Sequence, residues 1–89
     1  MKYIKKFEKK SPPKYKLGET VEVPRAIKQP VKYMIITDID YINSYTIQYE
    51  GVNLFDPAGE YFYILEEYII RKISDDEIEL LKSSNKYNL

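Results

Sequence analysis

The sequence predicts a mainly β domain, in which five short strands close into a small barrel and one short helix follows. Three observations carry this reading. Tyr45 to Glu50 alternates strictly, with Tyr45, Ile47 and Tyr49 on one side and Thr46, Gln48 and Glu50 on the other, which is the period-two pattern of a strand. Turn-forming residues punctuate the neighbouring stretches at Leu17-Gly18-Glu19, Asn43-Ser44 and Asp56-Pro57-Ala58-Gly59. Ser74-Asp75-Asp76-Glu77 is a capping box, with Ser74 placed to cap a helix and Glu77 to reach back.

The elements follow in order. Residues 1–14 are a flexible basic arm and linker. Tyr3, Ile4 and Phe7 stand at helical spacing among lysines, but an isolated helix this short is marginal in water. Ser11-Pro12-Pro13 makes a stiff, extended linker because each proline restricts the residue before it. Thr20 to Val23 is the first strand, and Pro24 to Pro30 is a loop bracketed by two prolines. Val31 to Ile42 is the longest strand. Its odd positions Val31, Tyr33, Ile35, Ile39 and Tyr41 are apolar, with Thr37 the exception. Met34 and Ile36 interrupt the polar face, so both faces are expected to be covered there. A strand of that length is expected to bend strongly.

Gly51 is expected to break the third strand, with Val52 to Phe55 as a short continuation. Pro57 presets φ after Asp56, and Gly59 suits the turn's end. Glu60 to Leu65 returns as a strand, Glu66-Glu67-Tyr68 makes a 3₁₀ corner, and Ile69 to Ile73 closes the sheet. A helix near 75–83 docks through Ile78 and Leu81, with Ile73 and Ile78 as a hydrophobic staple. The barrel with its helix spans 15–83, and residues 84–89 form a frayed tail.

A core of about sixty residues buries only ~60% of its unfolded surface. No cysteine is present to staple it. Ten tyrosines and three phenylalanines supply large burial per residue, and most of the tyrosines are assigned to the core or the barrel wall. The net charge is zero but polarised. Residues 1–16 hold seven lysines against Glu8, a net +6, while residues 17–89 hold seven basic against thirteen acidic residues, a net −6. A basic arm therefore precedes an acidic body. No stretch approaches the ~20 apolar residues of a membrane span, and the lysine-rich start has no apolar segment of a signal peptide. A cytoplasmic location without membrane partners is the expectation.

The opening Leu17-Gly18-Glu19-Thr20-Val21-Glu22-Val23 and the closing Tyr63-Ile64-Leu65-Glu66-Glu67-Tyr68-Ile69-Ile70 resemble the SH3-like (Src-homology-three-like) barrel superfamily. Such barrels often begin with an apolar-Gly-acidic-x-Val pattern and end with an aromatic strand, an acidic corner and an aliphatic strand. The likeness covers about sixty residues and concerns fold more than family. The chain also resembles small uncharacterised barrel proteins of phages and other mobile elements. It lacks the Ala-Leu-Tyr-Asp-Tyr signature and groove Trp of the signalling domains, so proline-rich ligands are not implied. A shared fold does not confer function.

Reaction chemistry is sparse. With no His and no Cys, Ser-His and Cys-His nucleophilic pairs are impossible, and the usual ligands of zinc are gone. The three glycines stand alone at 18, 51 and 59, so there is no phosphate-cradling loop. Asp38 and Asp40 lie two apart on one strand face, ~6.5–7 Å along it. That spacing suits a divalent cation or a carboxylate-pair hydrolase less well than a solvated polar stripe. No enzyme, cofactor, catalytic residue or metal site is expected. The expected function is an adaptor or inhibitor that contacts a protein through the acidic barrel surface. Its candidate residues are Glu66, Glu67, Asp38 and Asp40, with Arg25 and Lys28 in the proline-bracketed loop. The alternative is nucleic-acid binding through Lys2, Lys5, Lys6, Lys9 and Lys10 of the arm, with exposed tyrosines stacking on bases. An open barrel edge leaves room for a homodimer by strand pairing.

Overall fold

The computed structural model describes residues 12–24 and 31–87, with side chains through Ser84. Five antiparallel strands form one sheet: β1 (Thr20–Glu22), β2 (Tyr33–Asn43), β3 (Thr46–Asn53), β4 (Asp56–Leu65) and β5 (Arg71–Lys72). A 3₁₀ turn, η1 (Glu66–Tyr68), joins β4 to β5, and helix α1 (Asp75–Tyr87) follows. The strand order is β4-β3-β2-β1-β5. The sheet is not closed into a barrel, and β4 and β5 are its edges.

Gly18 opens the sheet. Its φ of 86° is the conformation that glycine adopts without a steric cost. It completes a turn in which Glu19 N–H donates to Lys16 C=O at 3.1 Å. The Glu19 carboxylate takes Lys16 N–H at 3.0 Å. That bond first, and Lys72 at 3.2 Å after it, hold the Glu19 carboxyl below its ordinary range. β5 has two residues, yet Ile70 and Ile73 N–H donate to the carbonyls of Glu22 and Thr20. Backbone pairing thus covers most of the closing strand expected at Ile69–Ile73.

β2 owes its mixed pattern to a bulge. Ile36 stands opposite Gly51 and Asp38 opposite Glu50, so Thr37 is the extra residue. The side-chain alternation slips by one there. Met34 and Ile36 face the core before the slip, and Ile39 packs against it afterwards. Thr37 breaks the odd-numbered apolar row because its hydroxyl donates to Glu50 C=O at 3.1 Å, satisfying a carbonyl at the irregularity. Gly51 is the other half of the device. It is buried, and a Cβ on it would collide with Ile35 O and Met34 Cγ. β3 therefore runs unbroken through Gly51, contrary to the expected interruption. The glycine admits close approach of Met34 rather than ending the strand.

Both hairpins turn on asparagines. Asn43 Oδ1 accepts Tyr45 N–H at 2.8 Å, and Asn53 Oδ1 accepts Phe55 N–H at 3.0 Å. These are side-chain-stabilised turns. The second turn sits at Leu54-Phe55, ahead of the expected Asp56–Gly59. That later signal marks a four-residue bulge instead. Asn53 stands opposite Asp56 and Val52 opposite Tyr61, so the register shifts by four residues on β4. Gly59 fits because a Cβ there would lie 2.5 Å from Asp56 Oδ2.

The core is Val21, Val23, Val31, Met34, Ile36, Ile47, Tyr49 and Ile69, with Tyr15, Ile39, Phe62 and Ile64 packed against it. Val52, Leu54 and Ile73 are buried apart from this cluster. Val52 opposes Ile35, which opposes Thr20, so the sheet is covered on both faces at this end. The tyrosines divide differently from the expectation. Tyr49 alone is fully buried among the described residues, whereas Tyr41, Tyr45, Tyr61, Tyr63 and Tyr68 are exposed. An edge strand, a hairpin end and the outer side of the η1 corner do not bury their rings.

Helix α1 starts as expected, with Ser74 Oγ accepting Glu77 N–H at 3.2 Å. It runs to Tyr87, beyond the expected end near 83. Ile78 and Leu81 are half-buried, and Leu80 is exposed. The Glu77 carboxylate is engaged by the Arg71 fork at 2.9 and 2.7 Å. Arg71 Nε also reaches Glu22 at 2.9 Å. The Arg71 fork lowers the Glu77 pKa. Its stabilising effect is therefore present above pH ~4.3 and fades as pH falls through the depressed value.

Replacing Gly51 with Ala is expected to lower stability by about 1–3 kcal/mol through overpacking against Met34 and the β2 backbone. Urea denaturation measures this. A loss below about 0.5 kcal/mol would mean that β2 and β3 do not approach so closely.

Candidate functional site

Directly opposed residues of an antiparallel ladder share one face of the sheet. That rule builds a polar surface across β2, β3 and β4. Asp38 opposes Glu50, which opposes Tyr63. One step along, Asp40 opposes Gln48, which opposes Leu65. The five polar residues of these two rows line a cleft of about 190 Å³. The bulge at Thr37 creates this grouping, because it turns Asp38 and Asp40 to the face opposite Ile39 and Tyr49.

The charge in the cleft has one sign. Three other acids have cations: Glu22 and Glu77 take Arg71, and Glu19 takes Lys72. Among the described residues, no lysine or arginine forms an ion pair with Asp38, Asp40 or Glu50. Asp38 Oδ1 accepts the N–H of Ile39 at 2.9 Å. Like charges directly opposed across a ladder destabilise it. Among the described residues, no three carboxylates are grouped so as to hold a metal ion.

A second cleft, of about 150 Å³, lies beside the first. Leu65 lines it, together with Lys14, Tyr45, Thr46, Glu66 and Glu67. Glu66 has a structural task here. Its Oε2 accepts the Tyr49 hydroxyl at 2.6 Å and the Lys14 N–H at 2.9 Å. The Tyr49 oxygen in turn accepts Tyr15 N–H at 3.2 Å. The Tyr15 ring meets the Tyr49 ring edge-on at 5.7 Å. Burial first, and the Glu66 carboxylate second, push the Tyr49 phenol well above its ordinary value of 10.

The expected site residues thus fall into three groups. Asp38 and Asp40 come together with Glu50, Gln48 and Tyr63. Glu66 and Glu67 line the adjoining cleft, but Glu66 is occupied in holding Tyr49 and Lys14. Arg25, Lys28 and the arm residues Lys2, Lys5, Lys6, Lys9 and Lys10 lie outside the described residues. Glu50, Gln48 and Tyr63 escaped the sequence reading as site residues. The alternation already placed Gln48 and Glu50 on the polar side, but the register that sets them opposite Asp40 and Asp38 depends on the bulge. No helix among the described residues is long and apolar enough to cross a membrane. No family model, curated protein or solved structure matches the chain.

Tyr49→Phe is expected to cost about 1.5–3 kcal/mol, since it removes a hydrogen bond to a carboxylate and one from a backbone amide. Because the folded phenol titrates above the unfolded one, its contribution is fully present below pH ~10 and is lost as pH rises further. In a native-state alkaline titration, wild type and Tyr49→Phe should reach the same phenolate absorbance at pH ~10. A smaller rise in the variant would show that Tyr49 itself ionises there.

Proposed function

We propose that this protein is a non-enzymatic binding module of the SH3-like kind, an adaptor or inhibitor that takes a basic protein surface on the acidic face of its sheet. The antiparallel order β4-β3-β2-β1-β5 with η1 before the last strand supports the SH3-like reading, and the open sheet is its departure from a closed barrel. The observation that carries the functional reading is Asp38 directly opposite Glu50, with Asp40 on the same face. An arrangement that costs stability and has no ion-paired cation among the described residues is best explained by a partner that supplies one. Complementary charge would speed the encounter and fix the register of the complex. Tyr63 adds an exposed ring beside the carboxylates, suited to the stem and ammonium of a lysine. The same ring is poorly placed to stack on a base, because phosphate would be brought against three acids.

The test is the triple variant Asp38→Asn, Asp40→Asn, Glu50→Gln, titrated with a lysine-rich peptide by calorimetry. Its affinity should fall by about tenfold or more, the equivalent of ~1.4 kcal/mol. Its folding stability should rise by about 0.2–1 kcal/mol as the opposed charges are removed. Wild-type binding should weaken as salt is raised. Undiminished binding by the triple variant would overturn the reading.

A further inference from the structure

The two edges of the sheet differ. β5 is two residues long, and both of its side chains are in ion pairs, Arg71 with Glu22 and Glu77, and Lys72 with Glu19. A short, charged edge of this kind resists pairing with another chain. The second half of β4 has none of that protection. From Tyr61 to Leu65 it pairs regularly with β3 on one side, and its other side is the sheet's edge. Tyr61-Phe62-Tyr63-Ile64-Leu65 contains no charge and no proline. All five are favourable strand residues or close to it. Tyr61 and Tyr63 are 59% and 60% exposed on one face, and Phe62 and Ile64 are half-buried on the other.

We infer that β4 is a dimerisation edge and that its occupant is β4 of a second copy, paired antiparallel about a two-fold axis. Self-pairing is chemically matched. A two-fold axis perpendicular to the sheet keeps each face on its own side, so residues of opposite faces cannot be opposed. The axis therefore passes beside a residue rather than between two. Centred on Phe62, the pairing sets Tyr61 against Tyr63 of the second copy and Glu60 against Ile64. Centred on Tyr63, it sets Phe62 against Ile64 and Tyr61 against Leu65. Apart from Glu60 against Ile64 in the first, both registers give aromatic or aliphatic cross-strand pairs, and neither opposes like charges within 61–65. In a body whose net charge is −6 over residues 17–89, the uncharged stretch 61–65 lets two strands pair without opposing acids.

The pairing has a consequence for the acidic cleft. Tyr63 lines that cleft and also stands at the edge, so two clefts would flank the axis of one continuous ten-stranded sheet. A single short strand pair lies below the ~1,200 Å² of standard interfaces. The dimer is accordingly reversible and concentration-dependent. The inference does not rest on the proposed basic partner, because the test below contains none.

The experiment is sedimentation of the full chain from micromolar to millimolar concentration. Wild type should pass from the 10.6 kDa monomer to twice that mass. Tyr61→Lys with Tyr63→Lys should stay monomeric with an unchanged circular dichroism spectrum, as should Tyr61→Glu with Tyr63→Glu. An equimolar mixture of the lysine and glutamate variants should recover the dimer, an outcome that misfolding cannot mimic. Amide shifts of wild type on dilution should be centred on residues 60–65. A wild type that stays monomeric throughout, a dimer that survives the lysine pair, or dilution shifts centred elsewhere would each overturn the inference.

Discussion

The hydrogen bond between the Tyr49 hydroxyl and Glu66 is the contact on which the rest of the architecture depends. A phenol that is fully buried at the centre of β3 must find a partner for its oxygen, or lose the free energy of its hydration without return. The partner comes from η1, the corner between β4 and β5. One bond thereby ties the middle of the sheet to the connection that carries the chain to its opposite edge. The same two groups take the N–H of Lys14 and of Tyr15. Three segments distant in sequence are held at one point, and the strand entering the sheet is set by the corner leaving it. In a domain without disulfides this polar node does work that hydrophobic contact alone, being non-directional, would not specify.

A second constraint acts through geometry. The bulge at Thr37 and the missing side chain of Gly51 let β2 change which of its faces is apolar halfway along. Before the bulge the strand lends Met34 and Ile36 to the core. After it, Ile39 takes over, and Asp38 and Asp40 turn to the opposite face. The acidic cleft and the core are thus two results of one inserted residue. Moving the bulge by one position would bury an aspartate or expose an isoleucine, so the acidic surface is bound to the packing behind it.

This explains which parts were legible in the sequence. The alternation of Tyr45 to Glu50, the Gly18 turn, the acidic 3₁₀ corner and the Ser74 cap are local signals, and each appears where residue chemistry places it. Register is not local. Asp38 and Asp40 were visible as a pair, but their grouping with Glu50 and Tyr63 required knowing that Thr37 is extra. Asp56-Pro57-Ala58-Gly59 was read as the hairpin turn because Pro and Gly are strong turn residues. The less conspicuous Asn53 turned the chain first, through its side chain, and left the stronger signal to make a bulge. Barrel closure failed for a related reason. Strand content and turns predict neighbours along the sheet, but they do not predict whether β4 and β5 come together. The Tyr49–Glu66 node was hidden because a tyrosine in a strand and a glutamate at a corner are each ordinary until they touch.

The distribution of charge differs between β5 and the middle of the sheet. Arg71 bridges Glu22 on β1 and Glu77 on α1, and Lys72 meets Glu19, so the cations of β5 serve to hold that edge to its neighbours. Exposed pairs of this kind add little stability each, but they leave the edge with its charges matched. Across the sheet the pattern reverses. Asp38 and Glu50 oppose one another, and the strand beside them carries bare tyrosines. If folding alone had set these residues, a lysine at either position would remove the repulsion at no steric cost, since the side chain would lie on a solvated face. The fold satisfies every buried side-chain polar atom among the described residues and pairs the charges at one edge. The acids left in opposition across β2 and β3 are therefore the part of its surface whose charge the ion pairs of the described residues do not balance.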